Sequence, residues 1–150
     1  MNLEQISQTC FVTHFAVDAA HTARAVYAAL PFGAGYAHRM ADVLCSAHLL
    51  AHLEGVCIDA IHEQIDWAHE TVLGVAMQLD HCGPARAGET VEVQGFVAGI
   101  GDHSVQFEME ARVGKRRVAA GRVTFAVVAR AAAGQGDLRP AAPEPARLAA

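Results

Sequence analysis

The chain has 150 residues, 53% apolar and 18% charged, a size and composition typical of one globular domain with a sizeable core. The net charge of -5 and the pI near 5.9 argue against a nucleic-acid-binding protein, which would carry an overall basic face. The sequence has no run of about 18 apolar residues, so it predicts no membrane span. The N-terminus contains Glu4 and no apolar run of signal-peptide length, so we expect a cytoplasmic protein.

The cysteines and most histidines do not predict a metal site. Four cysteines, at positions 10, 45, 57 and 82, are scattered without Cys-x-x-Cys spacing. In a reducing compartment we expect them to be small buried side chains. Three histidines, at positions 62, 69 and 103, have no ligand-like spacing with the cysteines. We therefore expect no metal and no cofactor.

The first half of the chain predicts a strand followed by a long helix. Residues from about 9 to 17 are rich in β-branched and aromatic side chains, as a strand requires. A short helix or loop follows and ends near Pro31. The longest helical pattern runs from about Arg39 to Gln64, with one apolar face made by Val43, Ala47, Leu50, Leu53, Cys57, Ala60 and Ile61.

The second half predicts four consecutive strands that end near residue 129. Alternation assigns Leu73, Val75, Met77 and Leu79 to one face of the first of them, and Val91, Val93 and Val97 to one face of the next. The clearest alternation assigns Val105, Phe107, Met109, Ala111 and Val113 to the core. In the last strand, Gly121 indicates a bulge or a close approach of two backbones.

These elements predict one α+β domain over residues 1–130, with a long helix against a curved antiparallel sheet. The segment 131–150 is rich in Ala, Pro and Gly and has no periodicity, so we predict a disordered tail.

Three polar residues stand out within the apolar segments. Ser46 and Glu54 lie in the helical pattern, and His81 ends a strand pattern. Burying an unpaired carboxylate costs several kcal/mol. We therefore expect Glu54 to have a partner, to have a function, or to lie at the boundary of the apolar face. At 100° per residue, Glu54 lies about 80° from Ser46 around a helix. Because eight residues span about 12 Å, Ser46 either lies in a turn or kink at the helix start or contacts a substrate rather than Glu54.

The order of elements resembles the hotdog fold, and the motif is similar to that of the fluoroacetyl-CoA thioesterase group. The pattern is a hydroxyl residue, a glutamate eight positions later in a helix, and a strand that begins with Gly and ends with His. Here these positions are Ser46, Glu54, Gly74 and His81, followed by Pro84, Gly88, Thr90 and Val91. The hydroxyl residue of that group is typically Thr, so Ser46 is a departure that keeps the hydroxyl.

The resemblance implies a thioester hydrolase whose catalytic residues are Ser46, Glu54 and His81. His81 would be general acid or base, as its ordinary pKa near 6.5 allows. Glu54 would be the nucleophile or would activate water, and Ser46 would position the substrate or take part in proton transfer. Structural roles remain the alternative for all three: a solvated helix-boundary Glu54, a strand-end His81 and a simple helix-start Ser46.

Further residues are candidates for binding the substrate. Gly74 would allow close backbone approach to a ligand, or would simply accommodate a neighbouring side chain. The cations Arg86, Lys115 and Arg116 would bind the phosphates of coenzyme A, or would lie in solvated turns. His48 and His52 are four residues apart, but lie away from the apolar face without a third ligand. We expect both to be exposed to solvent.

The resemblance also implies a homodimer whose sheets join and whose acyl pocket lies between the subunits. The substrate would be a small acyl thioester of CoA or of an acyl-carrier protein, with neither nucleic acid nor membrane as a partner. Two alternatives remain. One is a non-catalytic hotdog protein that binds an acyl-CoA or another apolar ligand. The other is a hydratase, which would usually show an Asp followed five positions later by His, a pattern absent from this sequence.

Overall fold

The computed structural model describes residues 3–133, so most of the predicted tail lies outside the described residues. The helices are α1 (Leu3–Ser7), α2 (Ala23–Ala28) and α3 (Ser46–Ile61). The strands are β1 (Cys10–Ala16), β2 (Glu70–His81), β3 (Thr90–Gly101), β4 (Ser104–Val113) and β5 (Arg116–Ala129). Short 3₁₀ turns cover Ala19–His21, Ala37–Arg39, His62–Gln64 and Arg130–Ala132.

All neighbouring strands are antiparallel, in the order β1-β3-β4-β5-β2. Helix α3 covers one face of this sheet, and its buried residues recur every four positions: Leu49, Leu53, Cys57 and Ile61. They join the buried strand residues in one core. The predicted α+β architecture, a long helix against an antiparallel sheet, is therefore confirmed. Among the described residues, no helix is long and apolar enough to cross a membrane.

The alternation predicted for the later strands is confirmed by burial. Val91, Val93 and Val97 are buried in β3, and Val105, Phe107, Met109 and Ala111 are buried in β4. Gly121 marks the predicted close approach, because a Cβ there would lie 2.4 Å from the carbonyl oxygen of Gln78 on β2. The sheet has no room for a side chain at that position.

The alternation predicted for β2 is wrong because the strand contains a bulge. Gly74 pairs with Phe125, but Ala76 pairs with Thr124, so Val75 is the additional residue. Before the bulge, Val72 and Gly74 face α3. After it, Met77, Leu79 and His81 do. Leu73 consequently lies on the outer face of the sheet, away from the core cluster.

The predicted helix start at Arg39 is also wrong. Ala37–Arg39 is a separate 3₁₀ turn, and Val43–Cys45 is extended before α3 begins at Ser46. Tertiary hydrogen bonds explain the difference. The segment pairs on one side with Thr22 and on the other with Arg86, as isolated antiparallel bridges. A helix through these residues would lose both pairings.

Candidate functional site

The start of α3 is held between two segments that are distant in sequence. The Leu44 N–H donates to the Ala85 carbonyl at 2.7 Å, and the Cys45 N–H donates to the His21 carbonyl at 2.8 Å. Leu44, Cys45 and Ala85 are all buried. Because Ala85 follows the end of β2 by only four residues, this pairing brings the end of β2 to the start of α3.

Ser46 and His81 are in direct contact at this junction. Ser46 is the first residue of α3, and its Oγ lies 2.8 Å from Nδ1 of the half-buried His81. When Nδ1 is unprotonated, the hydroxyl donates to it. Burial lowers the pKa of His81 below its ordinary value of 6.5, and a main-chain hydrogen bond with Gly83 partly offsets this effect. The ring is therefore mostly neutral near pH 7 and can accept a proton.

The helix start next to this pair also has unpaired main-chain donors. The N-cap residue is Cys45, and its side chain makes no capping hydrogen bond. The N–H groups of the first turn of a helix have no partner within the helix. They point toward the space beside Ser46, where the partial positive charge of the helix N-terminus favours negative charge. This end of α3 is suited to a developing oxyanion.

Glu54 lies elsewhere on the same helix, against β2. A Cβ at Gly74 would lie 2.5 Å from Oε1 of Glu54, so the absence of a side chain there makes room for the carboxylate. Glu54 is half-buried, and no other described residue forms a hydrogen bond or ion pair with it. Its charge also acts on Cys57 one turn later, where burial, with Glu54 as the second cause, raises the thiol pKa to about 12.

The three predicted catalytic residues thus form two parts rather than one. Ser46 is in regular helix, with no turn or kink between it and Glu54. Eight residues of helix separate the two by about 12 Å along the axis. Within one protomer, the Ser46–His81 pair and the Glu54–Gly74 pair lie at different points along α3 and β2.

Two depressions matter for locating a ligand. An open cleft of about 300 Å³ is lined by Val43, His81, Cys82, Gly83 and Pro84, and therefore reaches the Ser46–His81 pair. A larger depression of about 690 Å³, lined by Cys10, Val12, Phe96 and Glu108 among others, contains none of the predicted site residues. The smaller cleft is the one that borders the predicted catalytic residues Ser46 and His81.

The three predicted phosphate-binding cations differ in availability. Arg116 donates to both carboxylate oxygens of Glu89 at 2.9 Å and to the Pro84 carbonyl at 3.1 Å. It therefore braces the loop after His81. The side chains of Arg86 and Lys115 are exposed and make no hydrogen bond or ion pair with another described residue. Of the three predicted cations, these two therefore have side-chain donors free to bind phosphate.

The histidines on the far side of α3 differ from expectation. His48 and His52 were predicted to be exposed, but both are half-buried. The His48 ring stacks on His21, which had no apparent sequence signal for this role, with centroids 4.6 Å apart. The contact depends on the 3₁₀ turn at Ala19–His21, which no local pattern places beside the helix.

The cysteine prediction is half right. Cys45 and Cys57 are buried, but Cys10 and Cys82 are exposed, and all four are free thiols. Across residues 3–133, no group of three or more His, Cys, Asp or Glu side chains has a geometry that could hold a metal ion.

Comparison with solved structures identifies the fold. A mutant of the fluoroacetyl-CoA-specific thioesterase FlK in complex with fluoroacetate and CoA is 21% identical, covers 83% of this chain and 95% of its own, and has a TM-score of 0.74. A hot-dog-like protein from Thermanaerovibrio acidaminovorans is 16% identical, with 87% and 90% covered and a TM-score of 0.71. The hypothetical protein TTHA0967 from Thermus thermophilus, a thioesterase superfamily member, is 17% identical, with 85% and 86% covered and a TM-score of 0.71. The chain has the hotdog fold, as predicted.

Comparison with family models is more specific. The model described as FlK, fluoroacetyl-CoA-specific thioesterase, matches residues 17–131, which include every predicted site residue. This chain therefore belongs to the fluoroacetyl-CoA-specific thioesterase family and is a thioester hydrolase, as the sequence motif predicted. Among curated proteins, no sequence matches the chain.

Proposed function

We propose that this protein hydrolyses the thioester of a small acyl-CoA to CoA and a carboxylic acid, with Ser46, Glu54 and His81 as catalytic residues. The observation that carries the proposal is the hydrogen bond between Ser46 and a neutral His81 at the N-terminus of α3. Two FlK mutants, 21% and 22% identical to this chain, were solved with fluoroacetate and CoA and with acetyl-CoA. We do not extend the fluoroacetyl group itself to this chain.

The residues support a two-stage reaction. The thioester carbonyl lies at the start of α3, where main-chain N–H groups and the Ser46 hydroxyl stabilise negative charge on its oxygen. Addition of an oxygen nucleophile to the carbonyl carbon gives a tetrahedral intermediate. The C–S bond then breaks and its electron pair leaves on sulfur. The CoA thiolate takes up the proton that neutral His81 removes from the water consumed in the reaction. Positioned acid–base groups of this kind contribute about 10²–10⁴-fold in rate.

Two routes differ in the role of Glu54. In one, its carboxylate attacks the carbonyl carbon, and water then hydrolyses the resulting anhydride. In the other, Glu54 activates a water molecule, which attacks directly while His81 accepts its proton. A single turnover in H₂¹⁸O separates them. Label in the Glu54 carboxylate, read by mass spectrometry of the surrounding peptide, requires the anhydride. Because water that attacks the acyl carbon of the anhydride labels only the product, the water route additionally requires that rapidly quenched turnovers contain no acyl adduct of Glu54.

The gap of about 12 Å between the two parts of the site leads us to propose a homodimer joined along β2. Strand β2 is an edge of the sheet, with main-chain groups free to pair with a second copy. If the two β2 strands pair antiparallel about an axis through Gln78, with Val75 again the additional residue, Gly74 of one protomer lies opposite His81 of the other. Glu54 of one protomer would then face the Ser46–His81 pair of the other, and each site would use both copies.

Mixing two inactive variants tests this arrangement. In a mixed dimer of Glu54→Ala and His81→Ala, one shared site carries both mutations and the other carries neither. Dissociating and reannealing equal amounts should restore about a quarter of wild-type turnover, because half of the dimers are mixed and each has one intact site. No recovery, with mixed dimers verified by mass spectrometry, would place all three residues of a site in one protomer.

Turnover itself is tested by loss of thioester absorbance over a panel of short acyl-CoAs, beside His81→Ala. Hydrolysis that is lost in the variant supports the proposal. Thermal stabilisation by acyl-CoA without hydrolysis would favour the non-catalytic binding protein. Hydrolysis only of acyl-carrier-protein thioesters would show that the substrate's acyl carrier is that protein and not CoA. We assign the reaction to the cytoplasm, an assignment that the four free thiols support.

We infer that CoA enters through the cleft beside His81, with its phosphates near Arg86 and Lys115. Both side chains have free donors. Arg86 lies in the loop after His81, and Lys115 directly precedes Arg116, which donates to Pro84 of that loop. The guanidinium of Arg116, by contrast, is already paired with Glu89. Arg116 would act by fixing the loop, and its own contact with phosphate is not required.

A further inference from the structure

Three histidines and a phenylalanine form a ring cluster on the side of α3 away from Glu54. The His21 and His48 rings are stacked with centroids 4.6 Å apart, and His21 meets His52 edge to face at 5.4 Å. His52 in turn stacks on Phe15 of β1, with centroids 4.0 Å apart. The cluster connects β1, the 3₁₀ turn at Ala19–His21 and the first two turns of α3.

Three features of the cluster disfavour an added positive charge. The Asp18 N–H donates to Nδ1 of His21 at 3.3 Å, so this nitrogen must carry a lone pair and the ring proton lies on Nε2. His48 lies in the first turn of α3, where the partial positive charge of the helix N-terminus opposes a cation. Burial, together with His21 and His48, lowers the pKa of His52.

No carboxylate among the described residues forms an ion pair with these rings. Asp18, on the same turn as His21, uses Oδ1 to accept the Ala20 N–H at 2.8 Å. Phe15 is the β1 residue that contacts the cluster. The neighbouring His14 points to the other face of the strand, where it is paired with Glu92 at 3.1 Å. From α3 it receives only His48 and His52. Within residues 3–133, none of the three histidines has an ion-pair partner.

The cluster is joined to the candidate site through the main chain. The carbonyl of His21 accepts the N–H of Cys45, the N-cap residue of α3, at 2.8 Å. The His21 side chain contacts the same helix at His48 and His52. The turn that contains His21 therefore holds α3 through one main-chain bond and two ring contacts, and Ser46 is the residue directly after the bonded one.

We propose that His21, His48 and His52 are positioning residues: they hold the start of α3, with Ser46, in place while their rings are neutral and release it in mildly acidic solution. Burial and the two neighbouring rings lower the pKa of His52 in the folded protein, so the unfolded chain, with its ordinary value near 6.5, binds a proton at His52 more readily. Opening is therefore favoured as the pH falls through about 6.5 and is opposed at higher pH. The consequence for catalysis rests on the proposed role of Ser46.

The cysteines of the chain provide a direct readout that does not depend on turnover. Cys45 is 4% exposed and lies beside Ser46, and Cys57 is 0% exposed about three turns farther along the same helix. We would label the intact protein with 4,4′-dithiodipyridine at about pH 7.5 and about pH 5, which bracket histidine titration, and quantify each cysteine by mass spectrometry. Exposed Cys82 corrects for the effect of pH on the reagent.

The proposal predicts that labelling of Cys45, divided by that of Cys82, rises severalfold at the lower pH while Cys57 stays protected. Parallel labelling of Cys45 and Cys57 would mean that the whole helix unfolds and would overturn the proposal, as would protection of both. The double variant His48→Phe and His52→Phe keeps the aromatic contacts without the charges, and should suppress the rise.

His14→Gln is the matched control, because His14 lies outside the cluster, and it should leave the rise unchanged. A rise that persists in the double variant would overturn the assignment to these rings. Labelling requires no substrate, so this experiment and the thioesterase assay can fail independently. A protein without thioesterase activity could still show the opening, and an active enzyme could lack it.

Discussion

Gly74 and Glu54 are complementary: the glycine lacks a side chain where the carboxylate of the glutamate lies. A Cβ at Gly74 would lie 2.5 Å from Oε1 of Glu54 and 2.5 Å from Cε of Met77. Both of these atoms are the far ends of flexible side chains, so they can move without displacing the backbone. The contact therefore bears on the position of the carboxylate more than on the stability of the fold.

Gly74→Ala should consequently lower kcat while the protein remains folded. A displacement of about 1 Å in a catalytic group can cost about 10²-fold in rate, and we expect a loss of at least about tenfold. The measurement is kcat with the best acyl-CoA, beside a thermal melt.

Gly55→Ala is the matched control for this change. Gly55 lies next to Glu54 in α3, but a Cβ there meets nothing within 4 Å. Ala is favoured over Gly in a helix by about 1 kcal/mol, so this variant should be active and slightly more stable. Full activity in Gly74→Ala would show that the carboxylate needs no defined position against β2.

The pH dependence of kcat/KM should reveal the low pKa of His81. As a base, the ring must be neutral, so activity is lost as the pH falls through its pKa in the folded protein. Because burial lowers this pKa, the midpoint of the acid limb should lie below the ordinary value of about 6.5. A midpoint above 6.5 would contradict the neutral His81. The profile of Gly55→Ala, with the site intact, should match that of the wild type.

The same shift predicts weaker folding in acid. The folded state keeps His81 and His52 neutral, whereas the unfolded chain takes up protons below about pH 6.5. The free energy of unfolding should therefore decrease as the pH falls through this range, and urea titrations at several pH values measure it. Replacing both histidines with Phe should flatten the curve, and an unchanged curve would assign the acid effect to other groups.

Two of the four thiols should react in the native protein. Cys10 and Cys82 are exposed, whereas Cys45 and Cys57 are buried and the pKa of Cys57 is raised to about 12. A colorimetric thiol reagent at neutral pH should titrate two equivalents, and all four after denaturation. Four rapid equivalents in the native state would contradict the buried start of α3.

Arg86 and Lys115 should contribute to binding of the CoA phosphates, whereas Arg116 should not. Arg86→Met and Lys115→Met should each raise KM for acyl-CoA by about 1.4- to 5-fold, the effect of one exposed charge pair worth about 0.2–1 kcal/mol. Added salt should reduce the difference from wild type. Arg116→Met should instead increase exchange of main-chain amides in the loop after His81. Unchanged KM in both of the first two variants would locate the phosphates elsewhere.

Much of this fold could be predicted from the sequence because burial leaves a local pattern. The alternation in β4 and the helical spacing of Leu53, Cys57 and Ile61 are set by one face of each element, and each can be read within a short window. Leu49, on the same buried face, was missed, and the other residues assigned to that face, Val43, Ala47, Leu50 and Ala60, are not fully buried. The Ser, Glu, Gly and His motif could be read too, through its order and spacing.

The remaining features depend on contacts between segments that are distant in sequence. The start of α3 is fixed by the bonds from Leu44 and Cys45 to Ala85 and His21, so local helix propensity placed it too early. The stack of His21 on His48 likewise requires a turn from another part of the chain. The separation of Ser46 from Glu54 could be calculated from the sequence, but the hydrogen bond that assigns Ser46 to His81 could not.

The additional residue in β2 determines which glycine and which histidine can act together. Gly74 and His81 are seven positions apart, an odd interval that would direct them to opposite sides of a regular strand. Val75 shifts the phase between them, so both face α3. A regular strand that kept Val75 without the bulge would direct one half of β2 outward, with every residue of the motif still present. A homologue without this extra residue should have its glycine and histidine separated by an even interval, and an alignment that forces the odd interval onto it would match the wrong residues.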